Sequence, residues 1–247
     1  MRLTFLGTGS TSAPPLFGCE CAVCKAARAV ISMRRKPASA LIEAGETRFI
    51  IDAGLHELGD KFPSGSFAAI LLTHFHPDHV QGLFPMRWGV GDAVKVYCPP
   101  DNEGCADLFK NPGILKFEQV HKFETFTIGD VRVTPVPLIH SKPTLGYCVD
   151  DGATRIAYLT DTIGLPPATL DFLTRWRPTD LVLDCSYPPR ELPKNHNDFT
   201  LALKTIADVA PDQAYLTHIG HELDAWLLAH PDALPRGVVI ARDSMAI

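Results

Sequence analysis

The sequence predicts an α/β fold, a layered sandwich in which β-sheets carry helices on their outer faces. Three observations lead there. Short runs of Val, Ile, Leu and Tyr recur along the chain, several nearly continuous, as in strands covered on both faces. Clear helical periodicity is confined to a few later segments. No Gly/Ser linker, composition break, repeat or low-complexity tract interrupts the 247 residues, so one domain spanning 1–247 is expected.

Taken in order, strands are predicted over 2–6, 39–43, 48–52, 69–73, 94–97, 124–128, 131–138, 145–149 and 155–160. Three more follow at 181–185, 213–217 and 237–241. A helix over 166–176 opens on prolines, whose fixed φ suits a first turn, and aligns Leu170, Leu173 and Trp176 on one face. A helix over 198–209 starts from Asp198 as its cap, followed by Leu201, Leu203, Ile206 and Val209. A shorter one is expected over 224–230. The segment at about 11–37 reads as a loop without secondary structure.

The bulk properties narrow the class. A 46% hydrophobic, 21% charged composition is ordinary for a soluble globular protein. The net charge of −5 argues against nucleic acid as the main partner. The apolar run at residues 1–7 is short for a signal-peptide core. No stretch reaches the roughly 20 apolar residues of a membrane helix, so a cytoplasmic chain with no membrane partner is expected.

Residues 74–79 read His74-Phe75-His76-Pro77-Asp78-His79, directly after the apolar run at 68–72. His74, His76, Asp78 and His79 offer imidazole nitrogens and a carboxylate, a donor mixture that suits Zn²⁺, Mn²⁺ or Fe. A single tetrahedral ion would not need all of them once distant ligands are added, so the loop suggests two ions. The same event repeats along the chain. Predicted strands run into Asp52, His74, His140, Asp161, Asp184 and His218, and loops at one edge of a rigid sheet are where ligands from distant segments converge. His56, His121 and His230 stand alone and read as surface or capping residues.

Cysteine usage adds a second constellation. Three of the seven cysteines crowd together as Cys19, Cys21 and Cys24, and clustered cysteines in a cytoplasmic chain favour metal over a disulfide frame. Three thiolates leave a tetrahedral Zn²⁺ one ligand short. Cys148 and Cys185 sit in apolar surroundings and read as buried thiols.

This order of motifs closely resembles the metallo-β-lactamase fold superfamily, whose pattern is an HxHxDH loop, a lone His, a lone Asp and a final His, each after a strand. The early turn Leu6-Gly7-Thr8-Gly9 and the strand end Ile51-Asp52-Ala53-Gly54 fit the same pattern. The resemblance implies a four-layer αββα sandwich. It also implies that His74, His76 and His140 hold one ion, that Asp78, His79 and His218 hold another, and that Asp161 bridges the two. Asp52 and Asp184 then orient the ligands from behind, a support that metal sites commonly require.

Within that superfamily the sequence resembles the PhnP-like cyclic phosphodiesterases of bacterial phosphonate use, the carbon–phosphorus lyase pathway. The resemblance is carried by Gly18-Cys19-Glu20-Cys21-Ala22-Val23-Cys24, by Gln81-Gly82-Leu83-Phe84-Pro85-Met86-Arg87-Trp88-Gly89-Val90-Gly91-Asp92, and by Thr217-His218-Ile219-Gly220-His221-Glu222-Leu223-Asp224-Ala225-Trp226. It implies His221 as the fourth ligand of a structural Zn²⁺ with Cys19, Cys21 and Cys24, stapling the 11–37 loop. It further implies His196 as general acid, a homodimer, and hydrolysis of 5-phosphoribosyl 1,2-cyclic phosphate to ribose 1,5-bisphosphate. The chemistry agrees for His196, since an alkoxide leaving group needs a proton and imidazole titrates near neutrality. The two catalytic ions are expected to be Mn²⁺, with Zn²⁺ or Fe²⁺ also compatible with five histidines and two aspartates. Lys142, Arg87 and Arg190 are candidate phosphate anchors. An RNA-end-processing nuclease, a lactonase or a thioesterase would use the same ligand set.

Overall fold

A computed structural model describes residues 1–247. The first sheet holds, in spatial order, β1 (Arg2–Gly7), β2 (Ser39–Ala44), β3 (Thr47–Ile51), β4 (Ala69–Leu71), β5 (Val94–Cys98) and β6 (Leu115–Gln119). The second is ordered β13 (Val238–Ile240), β12 (Gln213–Thr217), β11 (Asp180–Asp184), β10 (Arg155–Leu159), β9 (Leu145–Asp150), β8 (Val131–Pro137) and β7 (Phe126–Ile128). Helices α1 (Ala22–Ala29), α2 (Leu58–Lys61), α3 (Pro77–Val80), α4 (Leu83–Met86) and α5 (Ala106–Lys110) accompany the first sheet in sequence. Helices α6 (Pro167–Trp176), α7 (Phe199–Val209) and α8 (His221–Ala229) accompany the second.

Period-two alternation explains why the strand sequences look uniformly apolar. Ala40 and Ile42, Phe49 and Ile51, and Ala69 and Leu71 face the second sheet, where they meet Val133, Tyr147, Ile156, Tyr158 and Val182. Their neighbours Leu41, Ile50 and Ile70 face the other way, onto Leu58, Leu83 and Leu108 of the outer helices. On the second sheet Ala157, Leu159, Leu181 and Leu183 point outward onto Leu173, Phe199, Ala202 and Leu223. Three apolar seams therefore separate four layers, helix–sheet–sheet–helix, as the resemblance implied. No helix is long and apolar enough to cross a membrane.

Strand direction builds the functional edge. β3 and β4 are parallel, β10, β11 and β12 are parallel, and β8 runs the same way as β10 because β9 is antiparallel to both. The carboxyl ends of these strands deliver Asp52, His74, His140, Asp161, Asp184 and His218. Behind that edge, the loop after β3 and the HxHxDH loop pack backbone on backbone. Ala53 N–H donates to His79 O at 2.8 Å, and a Cβ on Gly54 would sit 2.0 Å from Asp78 O, so glycine is required there.

The structure departs from the sequence expectations at four places. The 11–37 segment is not devoid of secondary structure, because Ala22–Ala29 forms α1, followed by a 3₁₀ turn at Ile31–Met33. Alanine-rich composition favours this helix, but its cap is the Cys21 thiol, which accepts from Cys24 N–H and is not a usual capping group. β6 was not anticipated because Lys116, Glu118 and Gln119 dilute its β signal on an edge strand. The last helix begins at His221 rather than 224, and the short helices α2 to α5 carry too few residues for a periodic signal. Asp198 caps α7 as expected, its Oδ1 accepting from Leu201 N–H at 2.8 Å.

Candidate active site

Side chains converge at the strand ends in overlapping groups that could each hold a metal ion: one around His76, one around Asp78, and a third that joins Asp161 and His218 to Asp184 and His196. In the first, His76 Nδ1 lies 2.8 Å from His74 Nε2 and 3.0 Å from His140 Nε2. In the second, Asp78 Oδ2 lies 3.4 Å from His79 Nε2 and 3.6 Å from His218 Nε2. One atom joins them. Asp161 Oδ2 is 3.7 Å from His74 Nε2 and 3.8 Å from His140 Nε2 on one side. On the other it is 3.4 Å from His79 Nε2 and 3.3 Å from His218 Nε2.

The donor set fits cations. His79 Nε2, His218 Nε2 and Asp161 Oδ1 are buried with no hydrogen-bond partner. Each such atom costs roughly 1–3 kcal/mol if left unpaired, so their clustering is accounted for by ions bound between them. Burial pushes the His74 imidazole well below its ordinary pKa, and burial likewise lowers His76 and His140, which keeps their lone pairs available. Burial alone would raise Asp161, but the His218 and His79 rings more than reverse this and hold the carboxyl well below its usual range. Asp78 is likewise held down, by His79 and His218 against burial.

The far nitrogens are fixed from behind. His79 Nδ1 lies 2.8 Å from Asp52 Oδ2, and Asp52 Oδ1 accepts from Thr73 N–H at 2.8 Å. Thr73 Oγ1 also lies 3.0 Å from His74 Nδ1. Ser186 Oγ bridges His218 Nδ1 at 2.8 Å and Asp184 Oδ1 at 3.0 Å. His140 Nδ1 donates to Asn195 O at 3.0 Å. Holding each ring's second nitrogen selects its tautomer and aims the first. Asp52 and His218 adopt φ of 61° and 58°, left-handed backbone that is costly for non-glycine residues and that clusters at functional sites.

His196 sits over both groups. Its ring stacks on His218 at a centroid separation of 4.8 Å and meets His140 at 4.9 Å. Its Nδ1 lies 2.8 Å from Asp184 Oδ2, an oxygen that also accepts from Thr162 N–H at 2.9 Å. That bond leaves Nε2 as the ring's remaining nitrogen. Burial lowers the His196 pKa, but the adjacent Asp184 carboxylate outweighs it and lifts the ring to about 9.

The structure thus gathers every sequence-derived candidate of the HxHxDH set, with Asp52, Asp184 and His196 around it. Thr73, Ser186 and Asn195 were missed, although Thr73 directly precedes His74, Asn195 directly precedes His196, and Ser186 stands two residues after Asp184. His230 is a capping residue as expected, its Nδ1 donating to Trp226 O at 2.8 Å, while His56 and His121 are exposed. Cys148 and Cys185 are buried thiols, raised by burial.

Cys19, Cys21, Cys24 and His221 form a separate group able to hold an ion. His221 Nδ1 is 3.6 Å from Cys19 Sγ and 3.8 Å from Cys21 Sγ. A tetrahedral Zn²⁺ with ordinary Zn–S and Zn–N bonds requires S···N separations of about 3.5 Å, so the spacing fits a closed site. The His221 ring lowers Cys21 to about 6, whereas burial lifts Cys24 to about 11. The same loop is tied to α8 a second time, by Arg35 Nε and Nη2 bonded to Asp224 Oδ2 and Oδ1 at 2.7 and 2.8 Å. Replacing His221 with alanine should cost about one Zn²⁺ per chain by elemental analysis and lower the melting temperature. Unchanged zinc content would refute this site.

A family model for the β-lactamase superfamily domain matches residues 47–219. Among solved structures, a diphosphatase from the PhnP family superposes with a TM-score of 0.83 at 27% identity, covering 100% of this chain and 96% of that one. An octanoyltransferase of Porphyromonas gingivalis is 27% identical over 237 residues, 90% of this chain and 46% of that protein. A ribonuclease Z of Methanopyrus kandleri is 31% identical over 130 residues, 49% of this chain and 47% of that protein. The chain spans about half the length of these curated relatives. Because the family match takes in the HxHxDH loop and runs through its distant partner His218, the chain belongs to the β-lactamase superfamily, with the metallo-β-lactamase fold.

Proposed function

We propose that this chain is a hydrolase of small phosphodiesters, cyclic ones above all, with 5-phosphoribosyl 1,2-cyclic phosphate as the preferred substrate and ribose 1,5-bisphosphate as product. The observation that carries the reading is the position of His196, stacked over both ligand groups with Nδ1 anchored on Asp184 at 2.8 Å. His74, His76 and His140 would hold one ion and Asp78, His79 and His218 the other, with Asp161 between them. Divalent cations there, Mn²⁺ or alternatively Zn²⁺ or Fe²⁺, supply Lewis acidity and a water of lowered pKa.

The chain's own groups do the rest. Asp184 keeps His196 oriented and protonated near neutral pH, so Nε2–H can be delivered to the departing sugar oxygen. Asp52, Thr73 and Ser186 hold the imidazoles rigid, so little reorganisation is needed as charge develops on phosphorus. Cys19, Cys21, Cys24 and His221 would bind the structural Zn²⁺ that fixes the 11–37 segment against α8. The chain would act as one hydrolase domain, a cytoplasmic homodimer working on a small molecule.

The diphosphatase and ribonuclease Z relatives mark the competing substrates. A diphosphate expels phosphate, a good leaving group with little need for an acid, whereas a ribose ester expels an alkoxide. The −5 net charge disfavours RNA. The test is a panel of cyclic phosphates, linear diesters, diphosphates, RNA ends, lactones and thioesters with added Mn²⁺ or Zn²⁺. The cyclic phosphates should give the highest kcat/KM. Equal or greater turnover of any other class would displace this function.

A further inference from the structure

Tyr187 and Arg190 lie between β11 and α7, beside the site but outside both ligand groups. The Tyr187 ring meets the His196 ring edge-on, with centroids 6.3 Å apart. The Arg190 guanidinium carbon lies 3.5 Å from the Tyr187 ring centroid. Arg190 Nη2 donates to Glu222 Oε2 at 2.6 Å, and its backbone N–H donates to Asp198 Oδ2 at 2.8 Å. A stacked guanidinium is thus held at a fixed offset from the proton donor, with 34% of its side chain still open to solvent.

The other basic candidates are less available. Arg87 is only 11% exposed, its Nη1 bonded to the Asp107 carboxylate at 2.7 Å and to the Asp107 carbonyl at 3.1 Å, and Lys142 is 25% exposed and faces the buried Asp101 at 3.9 Å. Arg190's partner Glu222 is 52% exposed, and an ion pair so open to water contributes little. A planar fork with a weakly held counter-ion is suited to bidentate capture of a phosphate.

We propose that Arg190 binds a second, non-reacting phosphate of the substrate, with Tyr187 as the spacer from His196 and Glu222 as the counter-ion exchanged for that phosphate. This rests on the phosphodiesterase reading and deepens it. The proposed substrate carries a phosphomonoester at its 5-position, and Arg190 is the residue that separates it from the unphosphorylated diester.

The test compares 5-phosphoribosyl 1,2-cyclic phosphate with its 5-hydroxyl analogue on the metal-loaded enzyme. Arg190→Ala should raise KM for the phosphorylated substrate about 10–100-fold, the loss expected for charge-assisted hydrogen bonds, with kcat nearly unchanged. The hydroxyl analogue should be unaffected, Arg190→Lys should recover part of the loss, and Glu222→Gln should lower KM. Equal losses on both diesters would mean that Arg190 only props up His196, and no loss on either would remove it from binding; both outcomes overturn the proposal. If the wild type hydrolyses neither diester, the phosphodiesterase reading fails separately. Calorimetric titration with ribose 5-phosphate then decides the anchor: binding at least tenfold weaker in Arg190→Ala supports it, and equal affinity overturns it.

Discussion

Asp161→Ala should abolish hydrolysis, with kcat falling roughly 10⁴-fold or more, the scale seen when a member of an interdependent catalytic group is removed. The expectation follows from one oxygen. Asp161 Oδ2 lies within 3.3–3.8 Å of His74, His79, His140 and His218, so its loss uncouples both ligand groups together. The variant should lose the catalytic ions yet retain about one tightly held Zn²⁺, because Cys19, Cys21, Cys24 and His221 form a group that does not include Asp161. Elemental analysis reads both numbers at once. Retention of two further ions would show that Asp161 is no bridge, and loss of all metal would show that the cysteine group does not stand alone.

His196→Ala should be the next most damaging change, and selectively so. Removing a general acid costs roughly 10²–10⁴-fold where the leaving group needs a proton. A cyclic ribose phosphate is such a substrate; a 4-nitrophenyl phosphodiester, whose phenolate leaves unaided, is not, and should lose little. The alkaline limb of the pH–rate profile on the alkyl diester should also disappear in the variant, since the Asp184-supported imidazole loses its proton only as pH rises. Equal losses on both esters would remove His196 from proton transfer. Asp184→Asn tests the same link from behind, and should move that limb to lower pH.

Much of this site was legible because metal chemistry restricts residue type. Only a few side chains can serve at the end of a strand, and His74, His76, Asp78, His79, His140, Asp161 and His218 each stand at such an end or in the loop that follows it. What the residues alone left open was atomic. That His76 presents Nδ1 while His74 and His140 present Nε2 depends on backbone approach, which no residue type encodes. The fold was legible in its strands, since β2, β3 and β4 are apolar on both faces. The α1 helix was not, because a thiol replaces the usual capping oxygen. Nor was the Arg35–Asp224 pair, which joins residues 189 positions apart and leaves no local pattern.

The seam between the sheets has a consequence for how this protein comes into being. Asp52 and the HxHxDH loop belong to the first sheet, while His140, Asp161 and His218 belong to the second, so neither sheet owns a working centre. A nascent chain that has not yet emitted β12 carries only part of the ligand set, and a chain whose sheets have not docked has two incomplete ones. Metal capture at the proposed centre would therefore report on finished assembly, and bound ions would act as rivets across the halves that tighten the native state by mass action.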